Sequence, residues 1–159
     1  MRRHQKGFSL IELLIVVAII LIIAAIAIPN LLRSRMAANE ASAVGSLRTI
    51  NTAEVTYSTT YSTIGFADLP ALGGTAPCTT ATSAGACLLD DVLSNTKVKS
   101  GYNFAVANLT GSPVIVTYNV TAVPTVVGQS GQRGFFTDQS GVIRYDPTGA
   151  APTNASAAL

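Results

Sequence analysis

Residues 8–29 read FSLIELLIVVAIILIIAAIAIP, and this stretch decides how the rest of the chain is organised. From Phe8 to Ile28 the only polar side chains are Ser9 and Glu12, and the run closes at Pro29. About 20 consecutive apolar residues wound as a helix span the hydrocarbon core of a bilayer. A secretory signal would have a shorter apolar core with a small-residue cleavage site behind it, and no such site follows Ile28. The segment MRRHQKG before the run is basic and polar. The one evident processing point, Gly7 before Phe8, lies on that basic side, so cleavage there would leave the whole apolar helix on the mature protein. Positive charge stays cytoplasmic, which directs everything after Pro29 towards the periplasm or the cell exterior.

Charge excludes one class of partner. The chain has ten Lys and Arg against eight Asp and Glu, a formal +2. Arg2, Arg3 and Lys6 lie in the head, so seven basic residues face eight acidic ones beyond it, a net of −1. No basic cluster remains for nucleic acid. About 130 residues follow the apolar run, enough for one ordinary domain. They hold both cysteines, Cys78 and Cys87, which in an oxidising compartment read as a disulfide. Two unpaired thiols are the alternative. A metal site is not expected, because two thiolates do not complete a tetrahedral shell and the one histidine, His4, is in the head.

Beyond Pro29 the chain turns polar but keeps a helical rhythm. Val44, Leu47, Ile50, Tyr57 and Tyr61 recur at spacings of three, four or seven, which draws one apolar face. Arg33, Arg35, Glu40, Arg48 and Glu54 are assigned to the remaining surface. The pattern predicts one long helix over 8–61, kinked at Pro29 where a backbone donor is lost; two helices broken there are the alternative. Tyr57 and Tyr61 read as a face packed on a sheet. Residues 58–86 are rich in Ser, Thr, Ala, Gly and Pro and read as a long connection. Asp90 and Asp91 read as a solvated helix start or turn, not as a calcium site.

The last third reads as strands. Residues 102–106, the β-branched run 114–123, and 134–137 with 142–145 flanking the turn 138–141 predict three or four antiparallel strands. These would pack on the exported half of the helix, an α+β arrangement. Residues 147–159 show no period and read as a flexible tail. The domain organisation is thus 1–7 leader, 8–28 transmembrane helix, 29–61 exported half of the helix, 62–146 globular head with the antiparallel sheet, and 147–159 tail. No nucleophile with a base, no P-loop and no dinucleotide fingerprint occurs, so neither an enzyme nor a cofactor is expected. Three Asn-x-Ser/Thr triplets, at Asn108, Asn119 and Asn154, are treated as chance in a chain this rich in Ser and Thr.

The segment Lys6-Gly7-Phe8-Ser9-Leu10-Ile11-Glu12-Leu13 resembles the class III leader and N-terminal helix of type IV prepilins and type II secretion pseudopilins. The resemblance covers about a third of the chain. It implies a pilin-like fold, cleavage after Gly7 by a prepilin peptidase and methylation of the new amine on Phe8. It also implies that Glu12 pairs with the Phe8 amine of a neighbouring subunit as a helical filament grows from the inner membrane. Many members carry a glycine midway along the run, where this chain has Leu21. Independently of family, an ionisable group within a membrane span costs about 3 kcal/mol on insertion scales and marks a functional site. The leading expectation is a type IV pilus subunit, polymerising through its apolar helix into a surface filament for adhesion, twitching motility or DNA uptake. Its expected partners are copies of itself, the prepilin peptidase, the inner-membrane assembly machinery and the membrane itself. The alternatives are a pseudopilin of the type II secretion system and a membrane-anchored envelope protein that never polymerises.

Overall fold

The computed structural model describes residues 8–159; the leader segment 1–7, Gly7 included, lies outside the described residues. Helix α1 runs from Leu10 to Thr60, 51 residues, with Pro29 inside it. Proline has no N–H to donate to the preceding turn, yet the helix continues on both sides, and the two-helix alternative gives way to a single element. The chain divides into two compact units, the first ending at Arg35 and the second comprising Met36–Leu159. In the first unit every side chain from Phe8 to Arg35 is exposed except the half-buried Ala24.

The second unit holds the core. Ala43, Leu47, Ile50, Ala53 and Tyr57 are buried along one face of α1, at the three- and four-residue spacing that stacks side chains on a helix. They meet Tyr102, Phe104, Tyr118, Val120, Ala122 and Phe135 from the strands. The six strands are β1 (Val98–Lys99), β2 (Tyr102–Thr110), β3 (Thr117–Pro124), β4 (Gly134–Asp138), β5 (Arg144–Asp146) and β6 (Ala157–Ala158). They pair antiparallel in chain order, β1 to β6. Strand β3 alternates strictly, with Tyr118, Val120 and Ala122 buried and Asn119 and Thr121 half-buried. This period of two marks a sheet with one face on the core. The architecture is the expected long helix on an antiparallel sheet, α+β and pilin-like.

Four expectations are corrected. The sheet has six strands, not three or four, because β1 and β6 are two-residue edges with no pattern of their own. Strand β3 starts at Thr117, not Val114, because Ile115 is bonded elsewhere: its N–H donates to the Ile64 carbonyl at 2.8 Å and its carbonyl accepts from Phe66 at 3.1 Å. The stretch 58–86 is no bare connection. It contains helix α2 (Leu69–Gly73), whose first turn is capped by Asp68 accepting from the Ala71 N–H at 3.0 Å, and which buries Leu69 and Leu72. The stretch 147–159 is docked: β6 pairs with β5, the Leu159 N–H donates to the Ile143 carbonyl at 2.9 Å, and Arg144 Nη1 donates to the Ser156 carbonyl at 3.0 Å. Gly134 permits this crossing, since a Cβ there would lie 2.0 Å from the Ala150 carbonyl oxygen.

Glu40 and Glu54 also depart from the expected solvent face, with 8% and 0% exposure. Glu40 Oε1 accepts from the backbone N–H groups of Gln132 and Arg133 at 2.9 and 3.1 Å, and its Oε2 pairs with the Arg133 guanidinium at 2.8 Å. Burial alone would raise the Glu40 carboxyl, but these donors together hold it below the ordinary glutamate range. The Arg133 guanidinium lies over the rings of Phe135 and Tyr145, at 5.6 and 5.7 Å from their centroids. One carboxylate of α1 thereby fixes the turn that leads into β4.

Candidate functional site

The site begins at the first turn of α1. Ser9 precedes the helix and the Ser9 N–H donates to Glu12 Oε2 at 2.9 Å. Ser-x-x-Glu at a helix start is the capping-box spacing, in which the third helical residue returns to satisfy a backbone donor that the helix leaves orphaned. The Leu13 N–H donates to the Ser9 carbonyl at 3.2 Å and closes the first turn. Glu12 therefore has a local partner within its own chain, a signal present in the sequence but overshadowed by the apolar run around it. Only one carboxylate oxygen is used; Oε1 is engaged by no other described residue.

Apart from Ser9, the described side chains around this carboxylate are apolar. Leu10, Ile11, Leu13, Leu14 and Ile15 are all exposed, and so are the large side chains onward to Leu31 and Leu32. The helix is long and apolar enough to cross a membrane. Such a surface has two stable fates, lipid or other apolar helices, and the same residues serve both. Phe8 is 77% exposed beside Glu12, while Gly7 lies outside the described residues.

The remaining site residues are held in the head. Cys78 and Cys87 form a disulfide with their Cα atoms 5.6 Å apart. The loop they close contains a small antiparallel bridge between Thr82 and Gly85 and is exposed over residues 75–84. Tyr57 of α1 reaches it, its hydroxyl donating to the Ser83 carbonyl at 2.6 Å. Gly74 is required at the base of the loop: its φ is +89°, and a Cβ would meet Cys78 Sγ and Gly85 Cα at 3.0 Å. Closing a loop this short stabilises by about 2–3 kcal/mol in the chain-entropy model. Alkylation of the unfolded, unreduced protein is therefore expected to label neither cysteine, and both after reduction. Labelling of two thiols without reductant would contradict the pairing.

Asp90 and Asp91 lead into the π-helical turn Val92–Thr96, as expected of a helix start. Asp90 accepts from the Leu93 N–H at 3.3 Å and pairs with Lys99 Nζ at 2.9 Å, while Asp91 accepts from Asn95 Nδ2 at 2.7 Å. Their oxygens are turned to protein donors. Tyr57 and Tyr61 pack with ring centroids 4.7 Å apart, as part of or against the core.

Comparison with known proteins agrees with the first turn. The family model of the prokaryotic N-terminal methylation motif matches residues 2–28. The N-terminal segment of the chain is similar to that of type IV pilins. It is 66% identical over 38 residues to the type IV wide pilus major component PilA4 of Thermus thermophilus, which covers 24% of this chain and 29% of that protein. It is 44% identical over 54 residues to the type IV major pilin protein PilA of Myxococcus xanthus, covering 34% of this chain and 24% of that one. The chain thus spans less than a third of the length of the curated relatives it matches. No solved structure matches it.

Proposed function

We propose that this chain is the structural subunit of a type IV pilus. The observation that carries the reading is the exposed apolar surface of α1 with a single carboxylate, Glu12, in its first turn. When many copies bundle, that surface exchanges lipid for neighbouring helices with little loss of apolar contact. The carboxylate, costly to leave among apolar side chains, gains the Phe8 amine of a neighbouring copy as its counter-charge. Before assembly the helix anchors the chain in the inner membrane with the head on the periplasmic side, and Pro29 marks its bend. Prepilin peptidase removes residues 1–7, and the inner-membrane assembly machinery extracts the mature subunit.

The decisive experiment is electron microscopy of fibres sheared from intact cells and probed for this chain. Labelled surface fibres support the pilus; label confined to the envelope points to a secretion pseudopilus or to an anchored protein. Processing is checked separately. Intact mass and N-terminal sequencing of the membrane-extracted protein are expected to give a chain beginning at Phe8 with one added methyl group. A mature protein still beginning at Met1 would remove the prepilin assignment.

A further inference from the structure

The sheet face turned away from α1 carries a groove that the pilus reading does not use. Asn119 and Thr121 lie on β3 at half-buried positions, alternating with the core residues Tyr118 and Val120. Phe136 stands directly across from Thr121 on β4. The docked stretch after β5 brings Pro152 and Asn154 over this face, and Asn108, at φ +52° where the β2–β3 register is irregular, closes the other side. The groove between them holds about 380 Å3, within the range of small-molecule sites.

Its chemistry is specific in what it contains and in what it lacks. Asn108, Asn119 and Asn154, three residues far apart in sequence, converge here, and no other described residue engages any of their side-chain amides. Each amide offers two donors and one acceptor. Thr121 adds a hydroxyl, while Phe136 and Pro152 supply an apolar floor. No charged side chain lines the groove. Charges of opposite sign flank it, Asp138 across from Asn119 and Arg144 across from Phe136, so the surroundings select neither an anion nor a cation, and a purely apolar ligand would strand three amides. A neutral polyhydroxylated ligand matches both halves, its vicinal hydroxyls meeting amides that both give and accept and its ring C–H face meeting the floor. We propose that this groove is a binding site for a neutral carbohydrate chain.

The proposal does not depend on polymerisation, so the test uses the unassembled full chain in micelles of a detergent without a sugar headgroup. Cellotetraose and chitotetraose are the neutral probes and tetragalacturonate the anionic one, titrated by saturation-transfer NMR. At least one neutral probe is expected to bind, with Kd on the order of 1 mM. The double variant Asn108→Ala/Asn154→Ala alters two exposed side chains and should weaken that binding about tenfold or more, because it removes two of the three amides. Thr121→Val, nearly isosteric, should weaken it in the same direction. The idea is overturned if neither neutral probe binds, if tetragalacturonate binds as tightly, or if the double variant binds like the parent. It is equally overturned if intact mass shows sugar already attached to these asparagines, since the groove would then be occupied by the chain's own modification.

Discussion

Glu12→Ala is expected to be inserted and processed normally and to form no pili of its own. Removing a charge from the apolar run makes insertion easier, so the membrane level of mature protein should not fall. Assembly should fail, because the incoming subunit has lost the group that meets the Phe8 amine of its neighbour. The hydrogen bond between the Ser9 N–H and Glu12 adds a second effect, since alanine also removes the cap of the first turn, a loss worth about 1 kcal/mol. Glu12→Gln separates the two roles. Glutamine serves a capping box as glutamate does, but it carries no charge. If Glu12 acts through charge, Glu12→Gln should be as fibre-deficient as Glu12→Ala, and Glu12→Asp, with a shorter reach, should be intermediate. Sheared-fibre yield is the readout, normalised to mature protein in membranes. Abundant fibres from Glu12→Gln would make Glu12 a helix cap and nothing more, and abundant fibres from Glu12→Ala would deny it either role.

Between pH 5 and pH 8 the globular head is expected to lose about 2.5 kcal/mol of stability through one side chain, Glu54. This carboxyl is fully buried; its Oε2 accepts from the Ala67 N–H at 3.0 Å and its Oε1 has no partner. Burial, helped by the charge of Asp68, outweighs the hydrogen bond from the Ala67 amide and raises its pKa to about 7. The aromatic hydroxyls beside it are committed, Tyr57 to Ser83 and Tyr118 to Asn51. The folded pKa lies above the unfolded value near 4.5, so the folded state holds the proton more tightly. The stabilisation is therefore complete below about pH 4.5 and lost as pH rises through 7, at about 1.4 kcal/mol for each pH unit separating the two values. Glu54→Gln keeps an acceptor for Ala67 and removes the titration. Its melting temperature should be nearly flat over this range and exceed that of the parent at pH 8 by roughly 5–10 °C. Near-UV circular dichroism melts of the solubilised chain decide it, and parallel curves for parent and variant would show that Glu54 does not govern the slope.

The parts of this fold legible in the sequence are those written in periodic side chains. The apolar run announced α1, and the spacing of Leu47, Ile50 and Tyr57 announced its core face. The β-branched run ending at Val123 announced β3, and 138–141 announced the turn after β4. What escaped has its cause elsewhere in the chain. Glu40 and Glu54 look like surface residues because glutamate usually is one; they are buried because Gln132, Arg133 and Ala67 present backbone donors to them, and no local pattern encodes that meeting. Strands β1 and β6 exist only as partners of β2 and β5. The docked stretch after β5 depends on Gly134 leaving room, and a lone glycine does not say what will fill its space. At the candidate site the balance differs. Glu12 stood out for its charge and Cys78 and Cys87 for their compartment, while the convergence of Asn108, Asn119 and Asn154 arises from the irregular β2–β3 register and the docked stretch after β5, which no local pattern encodes.

With the globular head exported as proposed above, the sequential order of the sheet bears on how the chain is delivered across the membrane. A polypeptide threaded outwards with its apolar anchor first emerges gradually, and an unpaired strand edge exposed meanwhile invites aggregation. Here each strand's partner is its immediate predecessor, so no strand must wait for a distant one to be translocated. The covalent clasp spans nine positions and lies ahead of every strand, so it can close before the first hairpin has crossed. Tyr57 then ties that finished loop to the still-uncovered face of α1. The head is laid out to be built in the order in which it arrives.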